Sequence, residues 1–204
     1  MIIIGLLGGV ASGKSAVAAA LARRGAAVFD ADRMGHVVLN DPEVRDILVA
    51  RWGPAVSDSD GNISRPAVAR IVFADSPNTA NERKFLEDTL HPRIRQRIEQ
   101  EISQLPPTVP AAVIDAPLLV EAGWNDAYHM AVFVDSPRQQ RLQRALTRGW
   151  TPEVFARREA AQLPIEEKKR CASHVIDNSG TLEELEAEVD RFWANISRES
   201  GPKT

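Results

Sequence analysis

The chain has 204 residues, 44% of them apolar and 26% charged, with a formal net charge of −3. That length allows one sizeable core and a small insertion but not two large independent domains. The mild acidity gives no global reason to expect nucleic acid or an acidic membrane as a partner. The single cysteine, Cys171, excludes an internal disulfide and fits a reducing compartment.

At the N-terminus, residues 2–7 (IIIGLL) predict a short buried strand, β-branched and continuous. No basic region precedes it and glycines interrupt it, so it does not read as an export signal. No stretch reaches the ~20 apolar residues a membrane helix needs. The expected location is the cytoplasm, with no obligate protein partner implied.

The alanine-rich segment from Lys14 to Arg24 predicts a helix, with Gly25 placed to cap its end. AAVFDAD (26–32) predicts a second strand running into acidic residues. Residues 42–52 and 65–75 predict short helices separated by the turn-rich SDSDGN. Residues 79–104 predict a long helix interrupted near His91-Pro92, where proline removes a backbone donor.

PPTVP (106–110) is a stiff connector into a third strand, AAVIDAP (111–117), and HMAVFVD (129–135) predicts a fourth. A basic helix over 137–148 and one or two more over 152–172 follow. HVID (174–177) predicts a fifth strand. A final helix follows, with Thr181 and Glu184 spaced as a capping box, and SRESGPKT at the end reads as a frayed tail. Short strands alternating with helices predict an α/β fold, a parallel sheet of about five strands with helices on both faces. The strandless stretch from 42 to 108 reads as a helical insertion.

Gly8-x-x-x-x-Gly13-Lys14-Ser15 is a complete Walker A pattern between a predicted strand and a predicted helix. Its glycines permit positive φ and close approach of the backbone to a ligand. Successive N–H groups and the helix N-terminus suit phosphate oxygens. Lys14 suits the β- and γ-phosphates, and the Ser15 hydroxyl suits Mg²⁺. Without a ligand, a lysine at the positive end of a helix would be unfavourable.

Other features narrow the class. No Asn-Lys pair exists to read guanine. Asp115 is followed by Ala116 and Pro117, so the glutamate that orients a hydrolytic water is missing. That favours transfer to an acceptor hydroxyl over hydrolysis. Residues 138–170 carry nine basic against four acidic side chains in a chain of net −3. Such a segment reads either as a solvated helix face or as a lid closing over polyphosphate.

GLLGGVASGKS, DADRMGH (30–36), LHP (90–92), DAPLLVEAG (115–123), RLQRALTRG (141–149) and REAAQLPIEEKKRCASHVIDNSG (158–180) together resemble the dephospho-coenzyme A kinase family. The resemblance implies Mg²⁺-dependent transfer of the ATP γ-phosphoryl to the ribose 3′-hydroxyl of dephospho-coenzyme A. It implies one P-loop kinase domain over 1–204. Its core would span about 1–40, 109–136 and 173–200, with a coenzyme A-binding insertion over about 41–108 and a lid over about 137–172.

Carried onto this chain, the family pattern makes Asp32, Lys14 and Arg144 the catalytic residues. Asp32 would serve the acceptor hydroxyl; capping of the following helix is the competing reading for Asp30 and Asp32. The ATP site would comprise Gly9, Ala11, Ser12, Gly13, Lys14, Ser15, Ala16, Arg144, Arg148 and Asn178. The acceptor site would comprise Leu7, Asp32, His91, Pro117, Leu118 and Glu121. Ser15 would hold Mg²⁺, with Asp32 or Asp115 acting through water.

Three positions depart from the pattern. Leu7 replaces a threonine, Ala11 a glycine, and Arg141 a glutamine. Two other readings stay open: a P-loop kinase of a nucleoside or nucleotide, and a nucleotide-binding regulator without acceptor chemistry.

Overall fold

The computed structural model describes residues 1–74 and 76–199. The strands are β1 (Ile2–Gly8), β2 (Ala27–Asp30), β3 (Ala111–Asp115), β4 (Met130–Asp135) and β5 (His174–Asp177). They form a five-stranded sheet in the order β2-β3-β1-β4-β5, every neighbouring pair parallel. The helices are α1 (Lys14–Arg23), α2 (Ala31–Val38), α3 (Pro42–Trp52), α4 (Arg65–Val72), α5 (Thr79–Ser103), α6 (Arg138–Thr147), α7 (Pro152–Ala160), α8 (Ile165–Arg170) and α9 (Leu182–Glu199).

The chain divides into two compact units, one of Met1–Asp30 with the chain from Ile102 on, the other of Ala31–Glu101. In the first, the central strands are buried on both faces, as parallel strands require: Ile4, Leu6, Ala111, Val113, Val132 and Val134 are at most 1% exposed. On one face, Val17, Ala20 and Leu21 of α1 meet Leu185, Val189, Phe192 and Ile196 of α9, apolar positions at helical spacing. The capping box of α9 is formed: Thr181 N–H donates to Glu184 Oε2 at 2.7 Å and Glu184 N–H to Thr181 Oγ1 at 3.2 Å.

In the second unit the described residues form helices, a 3-10 turn at Pro54–Val56 and one isolated bridge between Ser57 and Ile63. Asp58 Oδ1 accepts from the backbone N–H groups of Asp60 and Asn62, which closes the SDSDGN turn.

Several expectations shift. The second strand ends at Asp30, and α2 begins at the next residue, so Asp32 sits in a helical first turn rather than on a strand. α4 ends at Val72; Asp75, inside the expected helix, lies outside the described residues. α5 runs through Pro92 without a break, its buried Ile94, Ile98 and Ile102 repeating every four residues. Tertiary burial of that stripe outweighs one lost backbone hydrogen bond. Of the expected tail, residues 197–199 belong to α9, while 200–204 lie outside the described residues.

Candidate active site

Parallel strands bring all their carboxyl ends to one edge of a sheet, where α/β folds bind ligands. Register pairs Leu6 with Asp115, Asp30 with Asp115, Gly8 with Val134, and Asp135 with Asp177. The acidic strand ends and the start of the glycine loop therefore share that edge.

The loop turns tightly. Ser12 N–H donates to Gly9 O at 3.1 Å. Gly13 caps α1 with φ 97°. A Cβ on it would lie 2.0 Å from Asn178 Nδ2, so both conformation and space demand glycine. Ala11 also has positive φ, 57°, unlike every other non-glycine among the described residues. The left-handed region costs a side-chain-bearing residue about 1–2 kcal/mol. Lys14 and Ser15 open α1, Ser15 exposed and Ala16 half-buried. Ser12 is 1% exposed, and its Oγ has no hydrogen-bond partner.

What holds this strained loop is a set of side chains aimed at its carbonyls. Ser12 O accepts from Asn178 Nδ2 at 2.7 Å and Arg144 Nη1 at 3.0 Å. Arg144 also donates to Ser136 Oγ at 2.9 Å and Asn178 O at 2.7 Å. Asn178 N–H donates to Asp135 O at 2.8 Å. The ends of β4 and β5 thereby brace the loop that follows β1. Val10 joins Ala145 and the fully buried Phe155 in a small apolar cluster, against which Ala11, Leu142 and Trp150 pack.

Burial, and then the charge of Arg148, lower the pKa of the Arg144 guanidinium. Among the described residues no carboxylate lies within ion-pair distance of either arginine. Two cations near a phosphate-type loop, one partly desolvated, form a local positive field that polyphosphate would relieve. Arg148 itself is the exposed C-cap of α6.

The DAPLLVEAG segment is tied down by charge. Glu121 Oε1 accepts from Lys168 Nζ at 2.7 Å and from Leu163 N–H at 3.0 Å. Lys168, 2% exposed, also donates to Pro117 O at 3.1 Å and Gln162 Oε1 at 3.0 Å. All three ammonium protons are thus placed, and Glu121 Oε2 is left buried without a partner. Leu118 is half-buried and Leu7, in β1, is 3% exposed.

The second unit carries Asp32, exposed in the first turn of α2, and His91, half-buried on α5. The first unit joins Arg144 and Asn178 to the loop and carries the segment from Pro117 to Glu121, which Lys168 holds.

Sequence pattern assigns no role to Arg141, Glu159 or Lys168, yet Arg141 donates to Val10 O of the loop, Glu159 pairs with Arg141, and Lys168 with Glu121. Arg141 stands three residues before Arg144, on the same helix face, and that spacing was the available signal. Among the described residues no cluster of three or more His, Cys, Asp or Glu could hold a metal by protein ligands alone, and no helix is long and apolar enough to cross a membrane.

The chain is similar to known proteins over most of its length. The family model described as dephospho-CoA kinase matches residues 2–184. A dephospho-CoA kinase of Symbiobacterium thermophilum is 41% identical over 198 residues, covering 95% of this chain and 80% of that protein. One from Geobacter sulfurreducens is 41% identical over 197 residues, covering 95% and 98%. A solved Thermus thermophilus structure superposes with a TM-score of 0.79 at 35% identity, covering 95% of this chain and 97% of that one.

Proposed function

The chain belongs to the dephospho-CoA kinase family, and from that premise we propose how its own residues carry ATP-dependent phosphoryl transfer to the ribose 3′-hydroxyl of dephospho-CoA. This is the final step of coenzyme A synthesis, here placed in the cytoplasm. The supporting observation is the braced Gly8–Ser15 loop with Arg144 bound to its Ser12 carbonyl and, among the described residues, no carboxylate paired with Arg144 or Arg148.

Phosphoryl transfer asks little covalent chemistry of a protein; it asks for position and for positive charge around the γ-phosphoryl. In this reading the loop N–H groups and the N-terminus of α1 hold the β- and γ-phosphates. Lys14 bridges them. Arg144 turns from Ser12 O toward the oxygens that gain charge as the bond to the β-phosphate breaks, and Arg148 adds to the field. Asn178 keeps the loop in register while Arg144 is engaged. Asp32 orients the 3′-hydroxyl and takes its proton as the new phosphorus–oxygen bond forms, a contribution of ~10²–10⁴ in rate. ADP leaves. Leu7, His91, Pro117, Leu118 and Glu121 stay proposed as acceptor contacts, Leu7 from its buried place in β1 and Glu121 while held by Lys168.

The donors suit Mg²⁺: a hydroxyl at Ser15 and hard carboxylate oxygens, too few for an all-protein cage, as Mg²⁺ sites on nucleotides usually are. Ser15 would hold the ion with phosphate oxygens, and Asp115 or Asp32 would act through water. When bound, it supplies charge neutralisation.

The test is turnover of purified protein with ATP and Mg²⁺, offering dephospho-CoA against nucleosides and nucleoside monophosphates. Selective ADP formation with dephospho-CoA is expected; turnover with nucleosides alone would overturn the assignment. Asp32→Asn should retain ATP affinity and lose ~10²–10⁴ in kcat. Near-native kcat would remove Asp32 as the base.

A further inference from the structure

Arg141 is 2% exposed, on a helix that carries no acidic residue. A guanidinium this deeply buried must be both paired and hydrogen-bonded to be tolerated. Its Nη2 meets Glu159 Oε1 at 2.8 Å, its Nε donates to Ser136 O at 3.2 Å and its Nη1 to Val10 O at 3.3 Å. Glu159 reaches it from α7 and also accepts from Arg138 Nε at 2.8 Å. The guanidinium carbon lies 5.7 Å from the centre of the buried Phe155 ring, and a Cβ at Gly9 would come within 2.9 Å of Nη1. The group is therefore wedged between the lid helices and the loop.

We propose that Arg141 is a positioning residue for the ATP cradle of this chain and that Glu159 is its counter-ion. The geometry gives the reason. The Val10 carbonyl and the Ala11 N–H belong to one peptide plane and point in opposite directions. Holding Val10 O toward α6 turns the Ala11 N–H the other way, to the free side of the loop. Arg144 and Asn178 do the same for the next-but-one peptide by holding Ser12 O, which turns the Gly13 N–H.

Two clamps thus set alternate amides of the loop. The Arg141 clamp acts on the peptide entering Ala11, the residue forced to φ 57°. A charged donor makes a stronger hydrogen bond to a carbonyl than a neutral amide does, which suits a loop holding alanine in a glycine conformation. Its cost is a buried charge, and Glu159 offsets that cost. Glutamine at 141 would need no such partner.

The proposal rests on the glycine loop being the ATP site. Its test compares Glu159→Gln, Arg141→Gln and the double variant. The measurements are affinity for a fluorescent ATP analogue without acceptor, kcat and KM for ATP with dephospho-CoA, and the melting temperature of each protein. Removing the counter-ion alone leaves Arg141 buried and unpaired, so Glu159→Gln is expected to weaken ATP affinity about tenfold, in KM rather than kcat. The double variant should recover ATP affinity to within about threefold of native, a coupling that independent sites would not show.

Melting temperatures that fall while ATP affinity and KM stay native would make the pair merely structural and overturn the proposal. So would a double variant as weak for ATP as Glu159→Gln. If Glu159→Gln does not fold, Glu159→Asp and the double variant decide by the same criteria. Failure of the native protein to phosphorylate dephospho-CoA would strike the acceptor assignment, whereas the acceptor-free ATP measurement bears on the pair alone.

Discussion

Helices α5 and α6 are both rich in arginine, and they use it in opposite ways. On α5, Lys84 pairs with Asp88, Arg95 with Glu99 and Arg97 with Glu101, each at i,i+4 with both side chains at least 29% exposed. On α6 the sequence RQQRLQRALT contains no acid, so no such pair can form within the helix. Its guanidinium groups go elsewhere: Arg138 and Arg141 to Glu159, Arg141 and Arg144 to loop carbonyls more than 130 residues away in sequence. Mixed charge lets a helix satisfy itself in solvent. A basic helix without acids must take its partners from the rest of the fold or from a ligand, and here the bracing of the loop results.

The sharpest way to break that contrast is Arg144→Ala. If Arg144 meets charge developing on the γ-phosphoryl, kcat should fall ~10³-fold, while Arg144→Lys, a point charge without the planar fork, should recover only part. Equal kcat in native and Arg144→Ala protein, measured at saturating ATP, would reduce Arg144 to a brace.

Next in size is Glu121→Gln, which leaves the Lys168 ammonium, 2% exposed, without its counter-charge. Breaking a buried pair on one side costs ~3 kcal/mol or more, so denaturant unfolding should show a loss of that order; a change under ~1 kcal/mol would mean that Pro117 O and Gln162 suffice.

Ala11→Gly should act the other way. Relief of the left-handed strain is worth about 1 kcal/mol, partly cancelled by the flexibility of glycine in the unfolded chain. A small rise in stability with unchanged ATP affinity is expected; a loss would mean that the apolar packing of Ala11 outweighs its strain. Smallest of all, Lys84→Ala and Arg97→Ala on α5 should change stability by less than ~0.5 kcal/mol each and kcat not at all. A thermal melt showing more would end the contrast between the helices.

The loop was legible because its spacing encodes its mechanism: glycines for close approach, then Lys14 and Ser15 at a helix start. The capping box at Thr181 was legible because its partners lie three residues apart. The interruption expected at Pro92 did not materialise, because proline's local cost was visible in the sequence and the apolar stripe at Ile94, Ile98 and Ile102 that carries α5 through it gains its energy only on packing. In the sequence Arg141 stands only as a departure from the family pattern on the predicted basic helix. Nothing local marks it as buried, since its acceptors are Val10 O, Ser136 O and a carboxylate on the following helix.

By itself, then, the sequence determined the alternation of short apolar strands with helices, the phosphate loop between β1 and α1, and the absence of a hydrolytic glutamate after Asp115. These properties reside in residues adjacent in the chain, where periodicity and turn chemistry act. The tertiary structure alone decided which basic residues are spent and which stand ready. Lys168 closes on Glu121, Lys169 on Asp135 and Arg141 on Glu159; among the described residues no carboxylate pairs with Arg144 or Arg148, and the charge of Arg148 helps to lower the pKa of Arg144. The pairing of charges far apart in sequence depends on strand order and helix packing, and those are settled by burial of the whole core rather than by any local run of residues.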